Sequence, residues 1–372
     1  MSDKVLYDFQ ILLMQQFGGI SRYFYEVITG MSEDEVTVKL PVIGNLNYYF
    51  EDYFHKPVKE WNRKYYRHMW NLNCIYNNHV IRKSADAVFH PTAYNPYFIK
   101  NLCGKMVVTI HDMIHENFPE YYGGNPTIEH KKILMDRADA IIAVSQTTKD
   151  DIMRIYPYIP GEKIKVIHHG CCKPTEDEEM PSHGFIEKMK NYERFILYVG
   201  NRDRYKNFLP FAKAVCRIMQ DQKELTFVCV GGGEFNEEEK ELFERYGVEK
   251  RVLQDRSSDA ELNWLYGHAV CFGFPSVSEG FGIPILEAFV RECPVVLSDI
   301  PCFREVAGEA GLFFDPRQEN DIEEKLFHIL AGTYREELIK KGKVRAEAFS
   351  WSKTAKEHQQ LYKKVQNNEE IQ

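Results

Sequence analysis

The sequence predicts an α/β protein made of two doubly wound domains. Short apolar segments alternate with helix-like segments along most of the 372 residues, and several of the apolar segments are too uniformly apolar to have a solvated face. Such strands are typical of parallel sheets that are covered by helices on both sides. The chain is also longer than one hydrophobic core usually allows. Between Cys171 and Gly184 the alternation is interrupted by prolines, acids and glycine without periodicity, which indicates a linker.

The predicted strands fall into two groups. Those of the first domain are expected in KVLYDF, AVFHP, MVVTIHD, AIIAVS and IKVIHHG. Those of the second domain are expected in RFILYVG, LTFVCVGGG, RVLQD, AVCFGFPS, PVVLSD and AGLFFD. Strands that alternate with helices imply right-handed crossovers. We therefore predict two Rossmann-like domains, over residues 1–180 and 190–350, that face a cleft and bind ligands outside the carboxyl ends of their strands.

Composition excludes several classes of protein. The hydrophobic fraction of 44% and the charged fraction of 27% are those of a soluble globular protein. The net charge of -8 argues against nucleic acid as a main partner, because binding of phosphates requires a basic face. Nine cysteines without a CxxC pair indicate reduced thiols in a cytoplasmic protein. No apolar run is long enough to span a bilayer, so any membrane contact is expected to be peripheral.

Two glutamates flank a short loop of the second domain in SEGFGIPILEA. Pro284 is favoured in the first turn of a helix, so residues 280–283 are predicted to form the preceding loop. The backbone N–H groups of this loop would point at an anion together with the helix dipole. Glu287 would accept hydrogen bonds from a ribose diol, and Glu279 would face the group attached to the anion. The segment predicts a site for a nucleoside diphosphate with a hydroxyl-rich substituent, with an ordinary loop and helix cap as the alternative.

Cations follow the first strand of the second domain in YVGNRDRYKNF. Arg202 and Lys206, which come after Gly200, would neutralise a diphosphate leaving group as its bond breaks, whereas Arg204 is assigned to a solvated face. The segment VGGGEFNEEE lacks the GxGxxG spacing of dinucleotide sites and is predicted to be a tight turn. No DxD pair occurs in the chain, so no metal ion is expected at the diphosphate.

In the first domain, four segments lie at predicted turns after strands. Gly18 and Gly19 form either a simple turn or a close approach of the backbone to a ligand. His111 ends the strand in MVVTIHD, where a structural role and a contact with substrate are both open. His90 and the pair at 168–169 are weaker candidates of the same kind.

Together these motifs resemble those of glycosyltransferase family 4, whose members are retaining, nucleotide-sugar-dependent enzymes of the GT-B fold. The resemblance rests on EGFGIPILE preceded by FPSVS, on YVGNRDRYKN and on DAELNWLYGHAVCFGFPS. In the first domain, GGISRYFYEV, VVTIHD, ADAIIAVSQTTKDDI and VIHHG follow in the order of the family. One departure is His168-His169-Gly170, where many members carry asparagine before glycine, and it puts any contact of that turn in doubt.

The resemblance implies a role for each candidate residue. The implied catalytic residues are Glu279 at the transferred sugar, Arg202 and Lys206 at the diphosphate, and His111 at the sugar. The implied donor-binding residues are Gly19, Gly200, Arg256, Ser258, Gly280, Phe281, Gly282, Ile283 and Glu287. The segment 256–258 would lie near the base. The resemblance also implies that the first domain binds the acceptor and that residues 351–372 form a helix that crosses back to it.

The implied reaction is metal-independent transfer of a hexose, with retention, from GDP-mannose or a UDP-hexose. The acceptor would be a glycan or a lipid-linked glycan in the synthesis of a surface polysaccharide such as lipopolysaccharide. Two alternatives stay open, namely a sugar-nucleotide epimerase of the same fold and a catalytically silent nucleotide-binding regulator. The epimerase would consume no acceptor, and the regulator would turn over no sugar nucleotide.

Residues 55–83 form a basic segment with interleaved aromatic side chains. Its cations are Lys56, Lys59, Arg63, Lys64, Arg67, Arg82 and Lys83, against the single acid Glu60. Tryptophan and tyrosine side chains between such cations suit the headgroup level of an anionic membrane. The segment predicts either peripheral contact with the inner face of the membrane or with a lipid-diphosphate acceptor, or a partly buried helix with a solvated basic face.

Overall fold

The computed structural model describes residues 3–55, 58, 63–171, 179–202 and 204–371, without the side chains of residues 63 and 64. The chain forms two compact units. Unit 1 contains residues 1–170 and 350–372, and unit 2 contains residues 171–349. Each unit is built from parallel strands and helices, which confirms the predicted α/β class with two Rossmann-like domains. Residues 172–178 of the proposed linker lie outside the described residues.

The described part of unit 1 contains six parallel strands. They are β1 (Asp3–Tyr7), β2 (Val36–Lys39), β3 (Val88–His90), β4 (Val107–Ile110), β5 (Ala140–Ala143) and β6 (Ile164–Val166). Their order is β2-β1-β3 and β4-β5-β6, and a parallel bridge between Phe89 and Met106 joins the two groups. Five of these strands lie in the predicted segments. The sixth, β2, is an edge strand whose alternating burial gives a weaker signal than a uniformly apolar run.

Unit 2 contains six parallel strands within its described residues. They are β7 (Phe195–Val199), β8 (Thr226–Val230), β9 (Val252–Asp255), β10 (Cys271–Phe274), β11 (Val295–Ser298) and β12 (Gly311–Phe314). Each lies in a predicted segment. Their order is β12-β11-β10-β7-β8-β9, which is the strand order of a Rossmann fold.

Helices connect these strands in both units. The helices of unit 1 that precede the linker are α1 (Gln10–Met14), α2 (Gly19–Thr29), α3 (Glu51–Phe54), α4 (Arg63–Lys83), α5 (Ile114–Asn117), α6 (Thr127–Arg137) and α7 (Gln146–Ile155). Those of unit 2 are α8 (His183–Met189), α9 (Phe208–Asp221), α10 (Glu237–Tyr246), α11 (Asp259–His268), α12 (Ile283–Val290), α13 (Pro301–Ala307), α14 (Glu319–Leu330) and α15 (Arg335–Ala346). The last helix is α16 (Trp351–Asn367). Single 3-10 turns occur at Tyr48–Phe50, Pro119–Tyr121, Gly161–Lys163, Arg204–Lys206 and Glu249–Arg251.

Helix α9 shows how the sequence forms the core of unit 2. Its buried residues recur at helical spacing and include Phe208, Phe211, Ala212, Val215, Cys216 and Met219. The Phe211 ring packs directly on β10 at Gly273, where an added Cβ would lie 2.1 Å from Phe211 Cζ. Glycine in CFGF is therefore required by packing between helix and sheet.

Helix α16 belongs to unit 1 and is tied to its strands by buried hydrogen bonds. The hydroxyl of Tyr362 lies 2.7 Å from His90 Nδ1, and His90 Nε2 lies 3.0 Å from Thr109 Oγ1. The Tyr23 hydroxyl lies 2.8 Å from Thr109 Oγ1 and 2.5 Å from His358 Nε2. Because buried polar groups are stable only when they are paired, this chain of contacts fixes the last helix on the sheet. His90 is thus a structural residue of unit 1.

Candidate active site

The candidate site of unit 2 lies between β7 and β10, where the strand order of the sheet reverses. Strands β8 and β9 lie on one side of β7, and strands β10, β11 and β12 lie on its other side. Ligands of doubly wound sheets bind at this switch point, outside the carboxyl ends of the strands. The loops after β7 and β10, at residues 200–202 with 204–207 and at residues 275–282, would therefore form the walls of a ligand site. The N–H of Val277 joins them by donating to the Tyr205 carbonyl (2.8 Å).

Lys206 and Glu279 meet across this switch point. Lys206 Nζ lies 2.6 Å from Glu279 Oε1, and the two side chains are only 15% and 12% exposed. The ammonium also lies 5.5 Å from the centre of the Phe274 ring and 5.1 Å from that of Tyr205, as in cation–π contacts. An ammonium has three N–H donors, so pairing with one carboxylate leaves others for an anionic ligand.

Helix α12 begins where Pro284 predicts, with Gly282 as its N-cap. Gly282 has a φ of +104°, and an added Cβ would lie 3.2 Å from Ile285 Cδ1 and from Phe303 Cε1. Glycine is required here by both the backbone conformation and the close packing. Ile283 is the first residue of the helix rather than the last residue of the loop, because Gly282 already caps it.

The other predicted residues of this segment surround the start of α12. Glu287 is half-buried one turn into the helix and accepts a hydrogen bond from the Tyr266 hydroxyl (3.3 Å). Gly280 and Phe281 are buried, and the Phe281 ring lies 5.8 Å from that of Phe349. The contact of Tyr266 with Glu287 could not be predicted from the sequence, since an aromatic residue in α11 gives no sign of a partner on the next helix.

Arg202 points at the glycine turn after β8 rather than at Lys206. Its guanidinium donates to the carbonyls of Gly231 (2.8 Å), Gly233 (2.9 Å) and Glu234 (2.9 Å) and pairs with Glu239 Oε1 at 2.7 Å. The side chains of Arg202 and Glu239 are 5% and 2% exposed. The predicted contact of Arg202 with the diphosphate stays a prediction, and most of its donors already serve the turn.

The turn at residues 231–233 depends on three consecutive glycines. Their φ values are +88°, +71° and +73°, a region that favours glycine. An added Cβ on Gly232 would also lie 2.6 Å from Arg202 Nη1. Glycine thus allows the carbonyls of the turn to converge on one guanidinium.

Glu239 holds both Arg202 and the start of α10, a role that is not predicted from the sequence. Its second oxygen accepts from the Asn236 N–H (2.8 Å), while Asn236 Oδ1 accepts from the Glu239 N–H (2.9 Å). This capping box starts α10, and its signature is visible in NEEE of the printed sequence. The sequence shows the cap but not the ion pair with Arg202.

Three further predicted residues lie at strand or helix ends of unit 2. Gly200 follows β7 with a φ of +131°, and its N–H donates to the Val230 carbonyl (2.9 Å). Arg256 is exposed after β9. Ser258 is also exposed and caps α11 by a capping box with Glu261. Their predicted contacts with the donor stay predictions.

The two predicted residues of the first domain, Gly19 and His111, belong to unit 1. Gly19 is the exposed first residue of α2. His111 follows β4, and its N–H donates to the Tyr94 hydroxyl (3.0 Å). Desolvation lowers the pKa of His111 to about 4, so the imidazole is neutral at pH 7. His111 lines a cavity of unit 1.

Asp112, the residue after His111, pairs with a buried lysine. Buried Lys131 lies 3.3 Å from Asp112 Oδ1 and 3.0 Å from Glu116 Oε2. Burial acts to raise the pKa of Asp112, but the Lys131 ammonium and the N–H of Ile114 outweigh it and lower that pKa overall. The turn after β4 is therefore fixed by a buried cation.

Within the ranges that the structure describes, no group of three or more His, Cys, Asp and Glu side chains is placed to hold a metal ion. None of the described helices combines the length and the apolar composition needed to cross a membrane. The metal independence of the reaction stays a prediction.

Family models and relatives of known name match the chain. Residues 17–171 match the model of glycosyltransferase family 4, and residues 180–345 match that of the glycosyl transferases of group 1. O-antigen chain mannosyltransferase B of Escherichia coli is 28% identical over 301 residues, which span 76% of each chain. O-antigen chain mannosyltransferase RfbU of Salmonella typhimurium is 30% identical over 220 residues, which span 59% of each chain.

Solved structures share the fold over nearly the whole chain. The Anabaena HepE protein in complex with UDP and glucose has a TM-score of 0.72 at 16% identity, with 96% of this chain and 98% of that chain covered. Sucrose-phosphate synthase of Thermosynechococcus elongatus has a TM-score of 0.74 at 18% identity, with 99% and 100% covered. The chain therefore belongs to glycosyltransferase family 4 and is a glycosyltransferase of the GT-B fold.

Proposed function

We propose that this glycosyltransferase moves a mannosyl group from GDP-mannose to a glycan or lipid-linked acceptor in surface polysaccharide synthesis, with retention and without a metal ion. The observation that carries the proposal is the Lys206–Glu279 pair at the switch point of unit 2, in the loops that lead to α9 and α12. The relatives named as O-antigen mannosyltransferases support mannose over the UDP-linked hexoses.

The diphosphate of the donor would lie against Lys206 and the start of α12. The Lys206 side chain is only 15% exposed, so its attraction for phosphate is less screened than in bulk water. The Ile283 N–H at the start of α12 and the macrodipole of this helix add partial positive charge. These charges act most strongly when negative charge develops on the leaving diphosphate. They would therefore lower the barrier by stabilising that charge, as a bound metal ion does in a metal-dependent site.

The two glutamates would bind two other parts of the donor, the transferred sugar and the ribose. Glu279, whose charge is compensated by Lys206, would accept hydrogen bonds from the transferred sugar. Glu287, held by the Tyr266 hydroxyl, would accept hydrogen bonds from the ribose. The acceptor hydroxyl would then attack from the face on which the diphosphate leaves, and the product would keep the anomeric configuration of the donor.

We assign Arg202 a positioning role for the loop that carries Lys206. Its guanidinium ties the residues after β7 to the glycine turn after β8 and to Glu239 on α10. Removing this link would let the loop at 200–206 move relative to Glu279. Arg202 would thus act on the diphosphate through Lys206.

Peripheral contact with an anionic membrane is part of the proposal. Residues 56, 57 and 59–62 of the basic segment lie outside the described residues. Helix α4 contains no acid, and it exposes apolar side chains next to the cations Arg67, Arg82 and Lys83. The exposed apolar residues are Tyr65 (52%), Tyr66 (37%), Leu72 (50%), Ile75 (70%) and Tyr76 (42%). Such a face suits the headgroup region of an anionic bilayer.

The membrane contact is tested by flotation of the enzyme with liposomes. Binding to vesicles that contain anionic lipid should exceed binding to neutral vesicles, and the double variant Leu72→Ser with Ile75→Ser should bind less. Equal flotation with both kinds of vesicle would exclude this contact, without bearing on the transfer reaction.

The reaction is tested by product analysis with GDP-mannose and UDP-hexoses in the presence of EDTA. The expected result is release of GDP and a mannosylated acceptor with the donor's anomeric configuration. A changed sugar nucleotide without consumption of acceptor would instead identify an epimerase. No turnover of any sugar nucleotide would favour a regulator, and activity that requires an added divalent metal would overturn metal independence.

A further inference from the structure

The loop that precedes α12 is contacted by a buried thiol of α13. Cys302 is 1% exposed, and its Sγ lies 3.0 Å from the carbonyl oxygen of Phe281. A carbonyl oxygen can only accept a hydrogen bond, so the S–H of Cys302 is the donor. The transfer reaction proposed above does not use this thiol.

This contact orients the peptide group between Phe281 and Gly282. The peptide is trans, and a trans peptide is planar with its C=O and N–H pointing in opposite directions. Cys302 holds the Phe281 oxygen towards α13. The N–H of Gly282 therefore points away from α13.

The N–H of Gly282 has no partner within the described part of the chain. Gly282 is buried, and none of the described atoms accepts a hydrogen bond from its N–H. Buried backbone N–H groups are nearly always paired in folded proteins, because an unpaired donor costs free energy. At the N-cap of α12, this donor is therefore available to an oxygen of a bound ligand.

Phe303, the next residue of α13, packs on the same loop. An added Cβ on Gly282 would lie 3.2 Å from Phe303 Cε1, so the ring lies directly against this glycine. The Phe303 ring also lies 4.6 Å from that of Phe274, between ring centres. Phe274 is the ring that faces the Lys206 ammonium at 5.5 Å. Two adjacent residues of α13 thus support both the Gly282 peptide and the ring beside Lys206.

Helix α13 is itself held in place by Arg304. The guanidinium donates to both carboxylate oxygens of Asp299, at 2.7 and 2.8 Å, in the bidentate geometry that fixes orientation. It also lies 3.7 Å from the centre of the Phe313 ring in β12. Because Asp299 directly follows β11, the helix that carries Cys302 is anchored to the ends of two strands.

We propose that Cys302 is a positioning residue of the donor site, whose S–H fixes the Phe281–Gly282 peptide so that the Gly282 N–H faces the diphosphate. This inference rests on the proposed function, which places the diphosphate at the start of α12. Cys302 acts through the peptide and does not touch the substrate. The alternative is a thiol that only fills space in the core of unit 2.

The test is binding of GDP and UDP to the full chain, measured by isothermal titration calorimetry. Cys302→Ala removes the donor and should weaken binding of the preferred nucleotide about three- to tenfold, as for the loss of one oriented hydrogen bond. Cys302→Ser keeps a donor and should bind more tightly than Cys302→Ala. The matched control is Cys293→Ala, at a thiol that is 2% exposed and lies 3.6 Å from the Pro294 oxygen, before the amino end of β11. It should leave nucleotide binding unchanged.

An NMR signal reports the orientation of the peptide directly. The chain contains three Phe-Gly pairs, at 17–18, 272–273 and 281–282, so labelling with carbonyl-13C phenylalanine and 15N glycine isolates their peptide groups. Without ligand, Cys302→Ala should shift the signal of the 281–282 peptide, whereas Cys293→Ala should not. Added nucleotide should shift this signal in the wild type and shift it less in Cys302→Ala.

Three results would overturn the inference. They are nucleotide binding by Cys302→Ala as tight as that of the wild type, an equal loss of affinity in Cys293→Ala, and a Cys302→Ser variant that binds no better than Cys302→Ala. Each of them leaves the proposed function standing, because the wild type still binds the nucleotide. A wild-type chain that binds neither GDP nor UDP would instead remove the donor site and the proposed function with it.

Discussion

Replacing Glu239 with alanine should destabilise unit 2, because it leaves the Arg202 guanidinium buried without its carboxylate. The pair is 2.7 Å apart and its side chains are 5% and 2% exposed. Loss of the bond from the Asn236 N–H to the Glu239 carboxylate, which is one half of the capping box at α10, costs about 1 kcal/mol. Loss of the carboxylate costs about 2 kcal/mol more. This is less than the roughly 3–5 kcal/mol of a broken buried pair, since the carbonyls of residues 231–234 still contact the cation.

The sum, about 3 kcal/mol, corresponds to a fall in Tm of roughly 6–12 °C for a domain of this size. Differential scanning calorimetry of the full chain measures it. Glu239→Gln keeps the shape of the side chain and should lower the Tm by about half as much as Glu239→Ala. Glu237→Ala, on the same helix with a side chain that is 85% exposed, should leave the Tm unchanged. A Tm of Glu239→Ala equal to that of Glu237→Ala would refute the structural role of the pair.

Three further predictions concern packing, donor binding and pH. Gly273→Ala should lower the free energy of unfolding by about 1–3 kcal/mol, because the added Cβ would lie 2.1 Å from Phe211 Cζ. Urea unfolding measures this loss, and an unchanged midpoint would contradict the packing. Tyr266→Phe should raise the KM for donor up to about fivefold with little change in kcat, since it removes one hydrogen bond to Glu287; an unchanged KM would remove Tyr266 from the donor site. Burial lowers the pKa of His358 to about 4, whereas the pKa in the unfolded chain is about 6.5. The contribution of His358 to the free energy of unfolding is therefore complete above pH 6.5 and is lost as the pH falls towards 4. Calorimetry between pH 7 and 4 should therefore show a smaller loss of Tm for His358→Gln than for the wild type, and equal losses would contradict the assignment.

The strands of both units could be predicted because they are buried on both faces. Runs such as FILYV and AIIA leave few alternatives to a parallel sheet. The start of α12 could be predicted from Pro284, whose ring restricts it to the first turn. Strand β2 could not be predicted with the same rule, because one of its faces is exposed.

The partners of the site residues could not be predicted from the sequence. Arg202 and Glu239 are 37 positions apart, and nothing local distinguishes a phosphate-binding arginine from one that holds a glycine turn. The unit 1 cavity was hidden for the same reason, since its lining comes from segments that are distant in sequence. In contrast, Lys206 and Glu279 follow adjacent strands of a doubly wound sheet, so the fold itself predicts that they lie close together.

The most direct test of the account is the kcat for mannosyl transfer by Lys206→Met. This change keeps most of the side chain's volume and removes the charge at the switch point, so we expect a fall of about 100- to 1,000-fold, as when a donor to a developing anion is lost. The control is Lys213→Met, which removes a lysine paired with Glu319 at 2.8 Å on the surface of α9 and should keep normal activity. A kcat within threefold of the wild type for a folded Lys206→Met enzyme would contradict the proposed donor site.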